Sequence, residues 1–260
     1  MSRLFPIQSY LRHWLNAVDE HSIHSPYFFE LYLSLLKSDW VPDQAADYEK
    51  LRQHLLGQSL EVTVTDYGSG AKGDGTHKRI LSEIAATSLA PAKWAGLYAR
   101  IIRRCEPAVA IELGTSLGVT SLYLGARKAT RVFTFEGSPG TAQIALTNFE
   151  SLEASNISLV EGPIEETLPD FLQNHRRIDF ALLDANHRYA PTRQYFEWLA
   201  HRATDKSVFI VDDIYRSAEM ARAWDEIRLH PLVYGSVDLF RCGLVFFDPA
   251  LNRQHFRWSY

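Results

Sequence analysis

The pattern of hydrophobic and polar positions changes along the chain. From residue 109 onward, short apolar runs alternate with stretches whose apolar residues recur at helical spacing. The apolar runs predict five strands, at 109–114, 131–137, 157–162, 177–185 and 207–214. Strands that alternate with helices form βαβ units, and continuous apolar strands are typical of a parallel sheet covered on both faces.

The C-terminal part follows a different pattern. After an amphipathic helical stretch, the apolar runs "YGSVDLF" and "CGLVFFD" are separated by the single residue Arg241. Two strands so close in sequence predict an antiparallel pair. Five parallel strands, a helix and a terminal hairpin resemble the element order of class I methyltransferases. We therefore expect an α/β, Rossmann-like fold with a mostly parallel seven-stranded sheet and a C-terminal antiparallel hairpin.

The N-terminal stretch is rich in aromatic residues, with apolar positions at helical spacing and a break at Pro26. This pattern predicts a helical N-terminal extension with a glycine-rich loop over residues 1–85, followed by the cofactor-binding domain over 86–260. We favour a helical layer packed on the edge of the sheet. A lid over the active site, or a contact in a homodimer, stays open.

Composition narrows the class of protein. The 260 residues are 46% hydrophobic with a net charge of −4, which suits one large domain or a domain with an extension. The sequence contains no run of eighteen apolar residues, the length needed to span a membrane. Its N-terminus lacks the apolar core of a signal peptide. We therefore expect a cytoplasmic protein. The slightly acidic balance argues against nucleic acid as a partner.

Two glycine-rich turns compete for the role of cofactor loop: "DYGSGAKGDG" (66–75) and "ELGTSLG" (112–118). In an open α/β sheet, this loop should open the βαβ series and precede a strand that ends in an acidic residue. The second turn meets this condition, since Glu136 ends the next strand eighteen residues past Gly118. The first turn does not, because the residues after it are predicted to be helical for a long way.

The spacing of the second turn also separates cofactors. A dinucleotide site requires GxGxxG, but Ser116 stands at the position of the second glycine, and no P-loop occurs. A wide turn with a ribose-binding acid suits S-adenosylmethionine. The predicted cofactor contacts are Glu112, Gly114, Thr115, Ser116, Gly118, Glu136, Gly137, Ser138, Gly162, Pro163 and Asp184.

Carboxylates follow two of the predicted strands. Asp184 ends the fourth strand, and Asp212 and Asp213 end the fifth. These strands are neighbours in the expected topology, so the three side chains should meet at one edge of the sheet. Clustered carboxylates repel one another unless a cation compensates, and oxygen ligands favour Mg²⁺ or a similar divalent cation. The three aspartates are therefore the predicted metal ligands.

This arrangement suggests a reaction. A bound cation would lower the pKa of a substrate hydroxyl, and His187 is placed to accept the proton as general base. Asp184 and His187 are the predicted catalytic residues. Other interpretations remain open: Asp213 could cap the helix that begins near Ser217, Asp184 could bond the cofactor amine without a metal, and His187 could cap a loop or contact substrate passively.

Residues from about 88 to 248 resemble the class I methyltransferases of the catechol O-methyltransferase type. The likeness lies in "LAPAKWAGLYARII", "IELGTSLGVTSLYLG", "FALLDANHRYAPTRQYFEWL" and "VFIVDDI". It is closer to the macrolide-sugar O-methyltransferases, which carry D-x-x-H at the fourth strand and adjacent acids at the fifth, as in Asp184–His187 and Asp212-Asp213. The resemblance implies S-adenosylmethionine as cofactor and a metal held by these acids. The first 85 residues match nothing in those enzymes.

The resulting hypothesis is a divalent-metal-dependent O-methyltransferase acting on a hydroxyl of a small phenolic or sugar-like molecule. A metal-independent methyltransferase acting on an amine, a protein or RNA is the alternative, as is a non-catalytic relative with the same fold. The first glycine-rich turn, with Lys72 and the basic residues 77–79 around it, could clamp an anionic or sugar-like substrate. We favour a mobile surface loop.

Overall fold

The computed structural model describes residues 5–66 and 75–260. Its helices within these ranges are α1 (Phe5–Asn16), α2 (Pro26–Leu36), α3 (Ala45–Leu56), α4 (Leu81–Ser88), α5 (Ala92–Cys105), α6 (Val119–Leu124), α7 (Pro139–Ser151), α8 (Ile164–Asn174), α9 (Tyr189–Ala200) and α10 (Ala218–Arg228). The strands are β1 (Glu61–Asp66), β2 (Gly75–Ile80), β3 (Val109–Leu113), β4 (Arg131–Glu136), β5 (Ile157–Glu161), β6 (Phe180–Leu183), β7 (Val208–Val211), β8 (Gly235–Asp238), β9 (Gly243–Phe246) and β10 (Gln254–Arg257).

The chain forms two compact units. The central unit is Asp39–Arg176, and the terminal unit joins Met1–Ser38 with Arg177–Tyr260. The predicted boundary between residues 85 and 86 stays a prediction. Each unit has its own strands, helices and buried residues, and each is described by itself below.

In the central unit, β4 lies between β3 and β5 and is parallel to both. All five residues of β3 are buried, as the continuous apolar run predicted. Helices on this part of the sheet bury a cluster that includes Tyr48, Leu55, Leu122 and Phe149. The strand ends that carry the predicted cofactor residues are therefore fixed by a packed core.

The central unit also contains an antiparallel hairpin of β1 and β2, paired from Glu61↔Ile80 to Asp66↔Gly75. The prediction that the residues after the first glycine-rich turn are helical is thus wrong for Gly75–Ile80, which form β2. The helical part begins only at α4. A second strand satisfies the backbone groups of β1, which a helix would have left unpaired. Lys78 Nζ also donates a hydrogen bond to Glu61 Oε2 across the pair, at 2.6 Å. The turn itself falls largely on residues 67–74, outside the described residues, so both interpretations of it stay predictions.

Strand β1 packs against the beginning of α7. The backbone N–H of Thr65 donates to Ser138 Oγ at 3.2 Å. A Cβ atom on Gly140 would lie 2.1 Å from the carbonyl oxygen of Thr63, so only glycine permits this approach. Gly140 therefore fixes the hairpin beside the end of β4.

We expect Gly140→Ala to lower the free energy of unfolding by about 1–3 kcal/mol, because β1 must move away from α7 to admit the added methyl group. Urea unfolding measures this change. The control is Gly96→Ala within α5, where the nearest atom is a flexible Arg100 nitrogen 3.8 Å from the added Cβ. That variant should be as stable as the parent or more so, since alanine favours helix. Equal effects of the two substitutions would contradict the packing argument.

In the terminal unit, the strand order is β10–β8–β9–β7–β6. Strands β6 and β7 are parallel, while β9 is antiparallel to both β7 and β8. The predicted α/β class, the mostly parallel sheet and the C-terminal hairpin are confirmed. The terminal unit adds β10, a short strand that the sequence pattern did not reveal, which pairs in parallel with β8.

The N-terminal helices differ in burial. Helix α2 buries Phe28, Leu31 and Leu35, as expected of a packed layer. Helix α1 buries only His13, whose Nε2 lies 3.1 Å from Asp238 Oδ1, and it exposes Trp14 by 61%. The packed-layer interpretation therefore fits α2 and not α1. Among the described residues, no helix has the length and apolar character needed to cross a membrane.

Candidate functional site

The glycine-rich turn after β3 is bound to the end of β4. The backbone N–H groups of Gly114 and Thr115 both donate to the carbonyl oxygen of Phe135, at 3.0 and 3.1 Å. Thr115 Oγ1 lies 2.6 Å from Thr134 Oγ1 in a buried contact. The turn is thus held by both main-chain and side-chain bonds.

Gly118 is required by the local backbone and packing. It has φ +81°, and a Cβ atom there would lie 2.6 Å from Phe149 Cε1. Because L-residues with side chains rarely adopt this φ, glycine lets α6 begin at Val119 close against α7. Its role in this structure is therefore to shape the turn.

Glu136 is placed by the turn itself. The backbone N–H of Ser116 donates to Glu136 Oε2 at 2.7 Å, and the N–H of Ser138 donates to Oε1 at 2.9 Å. Burial raises the pKa of the Glu136 carboxyl, and these backbone donors oppose that shift. The carboxylate is thereby held in one orientation at the strand end.

The remaining predicted cofactor residues of the central unit lie around Glu136. Gly162 donates its N–H to the carbonyl oxygen of Glu136 at 2.9 Å, and Gly137 follows β4 directly. Pro163 is the residue before α8. The structure also shows Ser88 Oγ 2.7 Å from Ser116 Oγ, a contact that the sequence pattern did not indicate. Contact of these residues with a cofactor stays a prediction.

Glu112 is fully buried within β3. Its Oε2 accepts hydrogen bonds from the hydroxyls of Ser121 and Thr134, the latter at 2.6 Å. Its Oε1 is buried without a hydrogen-bond partner in the described part of the chain. Burial raises the pKa of this carboxyl to about 7, although the two hydroxyl donors lower it. A donor brought to Oε1 by a bound molecule would satisfy this atom.

In the terminal unit, Asp212 and Asp213 follow β7, as predicted. Asp212 is 0% exposed, and its Oδ2 lies 3.0 Å from Arg241 Nη2. Asp213 Oδ1 lies 3.8 Å from the same nitrogen, and its Oδ2 lies 3.0 Å from Arg216 Nη1. Two arginines therefore supply positive charge to this pair of acids.

Arg241 was not predicted as a functional residue, although its place between the hairpin strands is visible in the sequence. Its backbone N–H donates to the carbonyl oxygen of Leu239 at 2.9 Å, closing the turn between β8 and β9. Its own carbonyl oxygen accepts from the N–H of Ile214 at 3.0 Å. The backbone of Arg241 is thus bound to the residue that follows the two acids.

Asp184 and His187 lie together after β6, with His187 Nε2 3.6 Å from Asp184 Oδ1. Burial lowers the pKa of the His187 imidazole below its ordinary value, while Asp213 and Asp212 act in the opposite direction. The ring is therefore neutral near pH 7 and able to accept a proton. Left-handed backbone recurs here, with φ values of 65° at Asn186, 46° at His187 and 52° at Asp213.

One alternative for the acids is settled. Helix α10 is capped by Ser217, whose Oγ accepts from the N–H of Met220 at 3.1 Å, so Asp213 is not the cap. Across residues 5–66 and 75–260, no three His, Cys, Asp or Glu side chains are grouped so that they could hold a metal ion. The predicted ligands Asp184, Asp212 and Asp213 do not form such a group.

Comparison with known proteins gives a family match over part of the chain. Residues 111–214 match a sequence family described as "Methyltransferase domain". Among curated proteins, none matches the sequence.

Several solved structures share the fold. An O-methyltransferase from Bacillus cereus in complex with SAH has a TM-score of 0.56 at 16% identity, with 84% of this chain and 96% of that chain covered. The SAH-bound methyltransferase PaMTH1 from Podospora anserina has a TM-score of 0.58 at 14% identity, over 86% and 97%. The O-methyltransferase TomG from Streptomyces achromogenes, in complex with SAM, has a TM-score of 0.51 at 16% identity, over 84% and 94%.

At these identities the solved structures show the fold, and the family match identifies residues 111–214 as similar to a methyltransferase domain. The match covers the glycine-rich turn, Glu136, the acid after β6 and both acids after β7. The prediction of a methyltransferase domain with a Rossmann-like fold is confirmed. Residues 111–214 therefore match a methyltransferase domain, within a chain that has the Rossmann-like fold of the solved methyltransferases.

Proposed function

We propose that this protein is an S-adenosylmethionine-dependent O-methyltransferase that acts on a hydroxyl group of a small phenolic or sugar-like molecule. The observation that carries the proposal is the Glu136 carboxylate, oriented by the N–H groups of Ser116 and Ser138 at the end of β4. Such a carboxylate can accept hydrogen bonds from the hydroxyls of a ribose. Several proteins with this fold are O-methyltransferases, two of them with SAH or SAM bound.

The residues of the central unit fit the cofactor. Glu136 would accept from the ribose, while the turn from Gly114 to Gly118 would lie against the rest of the molecule. Glu112 Oε1, a buried acceptor without a partner in the described residues, would take a hydrogen bond from a donor of the cofactor or from a water. When bound, S-adenosylmethionine supplies the methyl group.

The residues of the terminal unit would handle the acceptor hydroxyl. His187, with its imidazole neutral near pH 7, would take the hydroxyl proton, and Asp184 at 3.6 Å would stabilise the imidazolium that results. Beyond this proton transfer, the task of the protein is to hold the acceptor oxygen in line with the methyl group.

The divalent cation predicted at Asp184, Asp212 and Asp213 does not fit the residues as they stand. Asp212 is fully buried against Arg241, and Asp213 is paired with Arg216. The repulsion between Asp212 and Asp213, which was part of the reason for the prediction, is thus already compensated by arginines of the chain. The proposed reaction therefore contains no step that involves a metal.

The first test is cofactor binding. Calorimetry should show binding of SAM or SAH with a Kd at or below about 1 μM, equivalent to roughly −8 kcal/mol. Glu136→Ala should weaken this affinity by more than about tenfold, because both ribose hydroxyls lose their acceptor. The control is Glu161→Ala, since Glu161 is the exposed residue paired with Glu136 on β5.

The control variant should bind as the parent does. No heat of binding for either ligand would contradict the proposed cofactor, and equal affinity of the parent and Glu136→Ala would contradict the role of Glu136. Methyl transfer itself is tested by SAH release with a panel of catechols and sugars.

A further inference from the structure

The acids after β7 share one guanidinium group. Arg241 Nη2 lies 3.0 Å from Asp212 Oδ2 and 3.8 Å from Asp213 Oδ1, so a single nitrogen stands between two carboxylates. This is the position that a cation shared by the two side chains would take. Arg216 contacts the other oxygen of Asp213 at 3.0 Å.

The Arg241 guanidinium is not easily displaced. Its side chain is only 28% exposed, and its backbone is bound on both sides, to Leu239 and to Ile214. Asp212 has no exposed surface of its own, so an entering ion would have to remove the guanidinium to reach that oxygen. Removing the guanidinium would leave the partly buried Arg241 charge separated from the Asp212 carboxylate, and separating a buried ion pair is costly.

We propose that Arg241 is the built-in cation of this acid pair and that it excludes divalent metal ions from Asp212 and Asp213. The inference rests on the charges of the terminal unit alone. It holds whether or not the proposed methyl transfer takes place, and it can be tested with neither cofactor nor acceptor present.

The test is titration with Mn²⁺, with free ion followed by electron paramagnetic resonance. Wild type should bind no stoichiometric Mn²⁺ at Asp212. Arg241→Gln, which removes the charge and retains a polar side chain, should gain one bound Mn²⁺ per chain with at least about tenfold higher affinity. The guanidinium between the two carboxylates is then gone, and of the two arginines only Arg216 remains, on the other oxygen of Asp213. Arg241→Lys retains a cation and should stay metal-free.

Arg228→Gln is the matched control, because Arg228 Nε pairs with Asp225 at 2.9 Å on the surface of α10. It should behave as wild type does. Two results would overturn the proposal: wild type binding one Mn²⁺ that Asp212→Asn abolishes, or folded Arg241→Gln binding Mn²⁺ no better than wild type. Circular dichroism reports whether each variant is folded. If Arg241→Gln does not fold, the decision rests on titrations of the wild type, Asp212→Asn and Arg241→Lys. Mn²⁺ bound at Asp212 in the wild type would contradict the inference. Absence of bound Mn²⁺ in both the wild type and Arg241→Lys would support it.

Discussion

His187→Ala should lower the rate of methyl transfer by about 10²–10⁴-fold, the usual contribution of a general base. The reason lies in the surroundings of the ring. Burial lowers the pKa of the imidazole, so the neutral form that can accept a proton is already present near pH 7. Asp184, 3.6 Å away, would then stabilise the charged ring.

The measurement is the rate of SAH release with an acceptor that the parent enzyme methylates, together with SAH affinity and thermal unfolding. If His187 is the base, the rate falls while affinity and stability change little. Part of the loss should return at high pH, where solvent can take the proton. His201→Ala is the control, because His201 lies on the surface 3.2 Å from Glu197 at the end of α9. A parent-like rate for His187→Ala would show that the histidine is passive.

The sequence was most informative where local pattern and tertiary structure agree. Apolar runs between helical stretches predicted β3 to β7, and all of these form as parallel-sheet strands in their units. The glycines at 114 and 118, followed by a strand that ends in an acidic residue, predicted the position of the turn that orients Glu136. These features depend on residues near one another in sequence or on a regular sheet register, which a single sequence can display.

The failures share a physical cause, which is pairing between distant residues. Residues Gly75–Ile80 were predicted to be helical, but they form a strand because they pair with β1. The divalent cation at the acids stays a prediction, but the sequence pattern gave no sign of Arg241, which reaches Asp212 from a turn 29 residues away. No local sequence pattern predicts which arginine will pair with which carboxylate, because the pairing depends on how the β8–β9 hairpin packs.

Helix α1 illustrates a different limit. Its apolar residues recur at helical spacing, which predicts an apolar face on the helix. The spacing does not identify the surface against which that face would pack. In this structure several of them are exposed, with Leu15 at 73% and Trp14 at 61%. A contact of this helix in a homodimer therefore stays a prediction.

Glu112→Gln should stabilise the cofactor-free protein increasingly as pH rises from about 5 to 8. Burial raises the pKa of Glu112 from 4.5 to about 7 in the folded protein, while the unfolded chain retains the ordinary value. Between these values the folded state holds a proton that the unfolded state has lost, so folding becomes less favourable as pH rises. Above pH 7 the full cost applies, about 3 kcal/mol.

Glutamine removes this cost because it has no charge to bury, and its carbonyl oxygen can still accept from Ser121 and Thr134. The measurement is urea unfolding of parent and variant across the pH range, with the difference in free energy plotted against pH. Other titrating groups cancel in that difference. Glu161→Gln, at an exposed strand end, should give a flat difference. A flat difference for Glu112→Gln as well would show that the carboxyl is not protonated in the folded protein at neutral pH.

The same substitution tests whether Glu112 contributes to the cofactor site. If a cationic group of S-adenosylmethionine donates to Oε1, it favours the ionised carboxylate, and binding should release a proton from Glu112 at pH 6. Affinity for S-adenosylmethionine should then rise by up to about tenfold between pH 6 and pH 7 in the parent, since each pH unit below the pKa costs one factor of ten. In Glu112→Gln this dependence should be lost and the affinity at pH 8 should be lower. Parallel pH profiles for parent and variant, measured by calorimetry, would place Glu112 outside the cofactor contacts and leave it a buried structural acid.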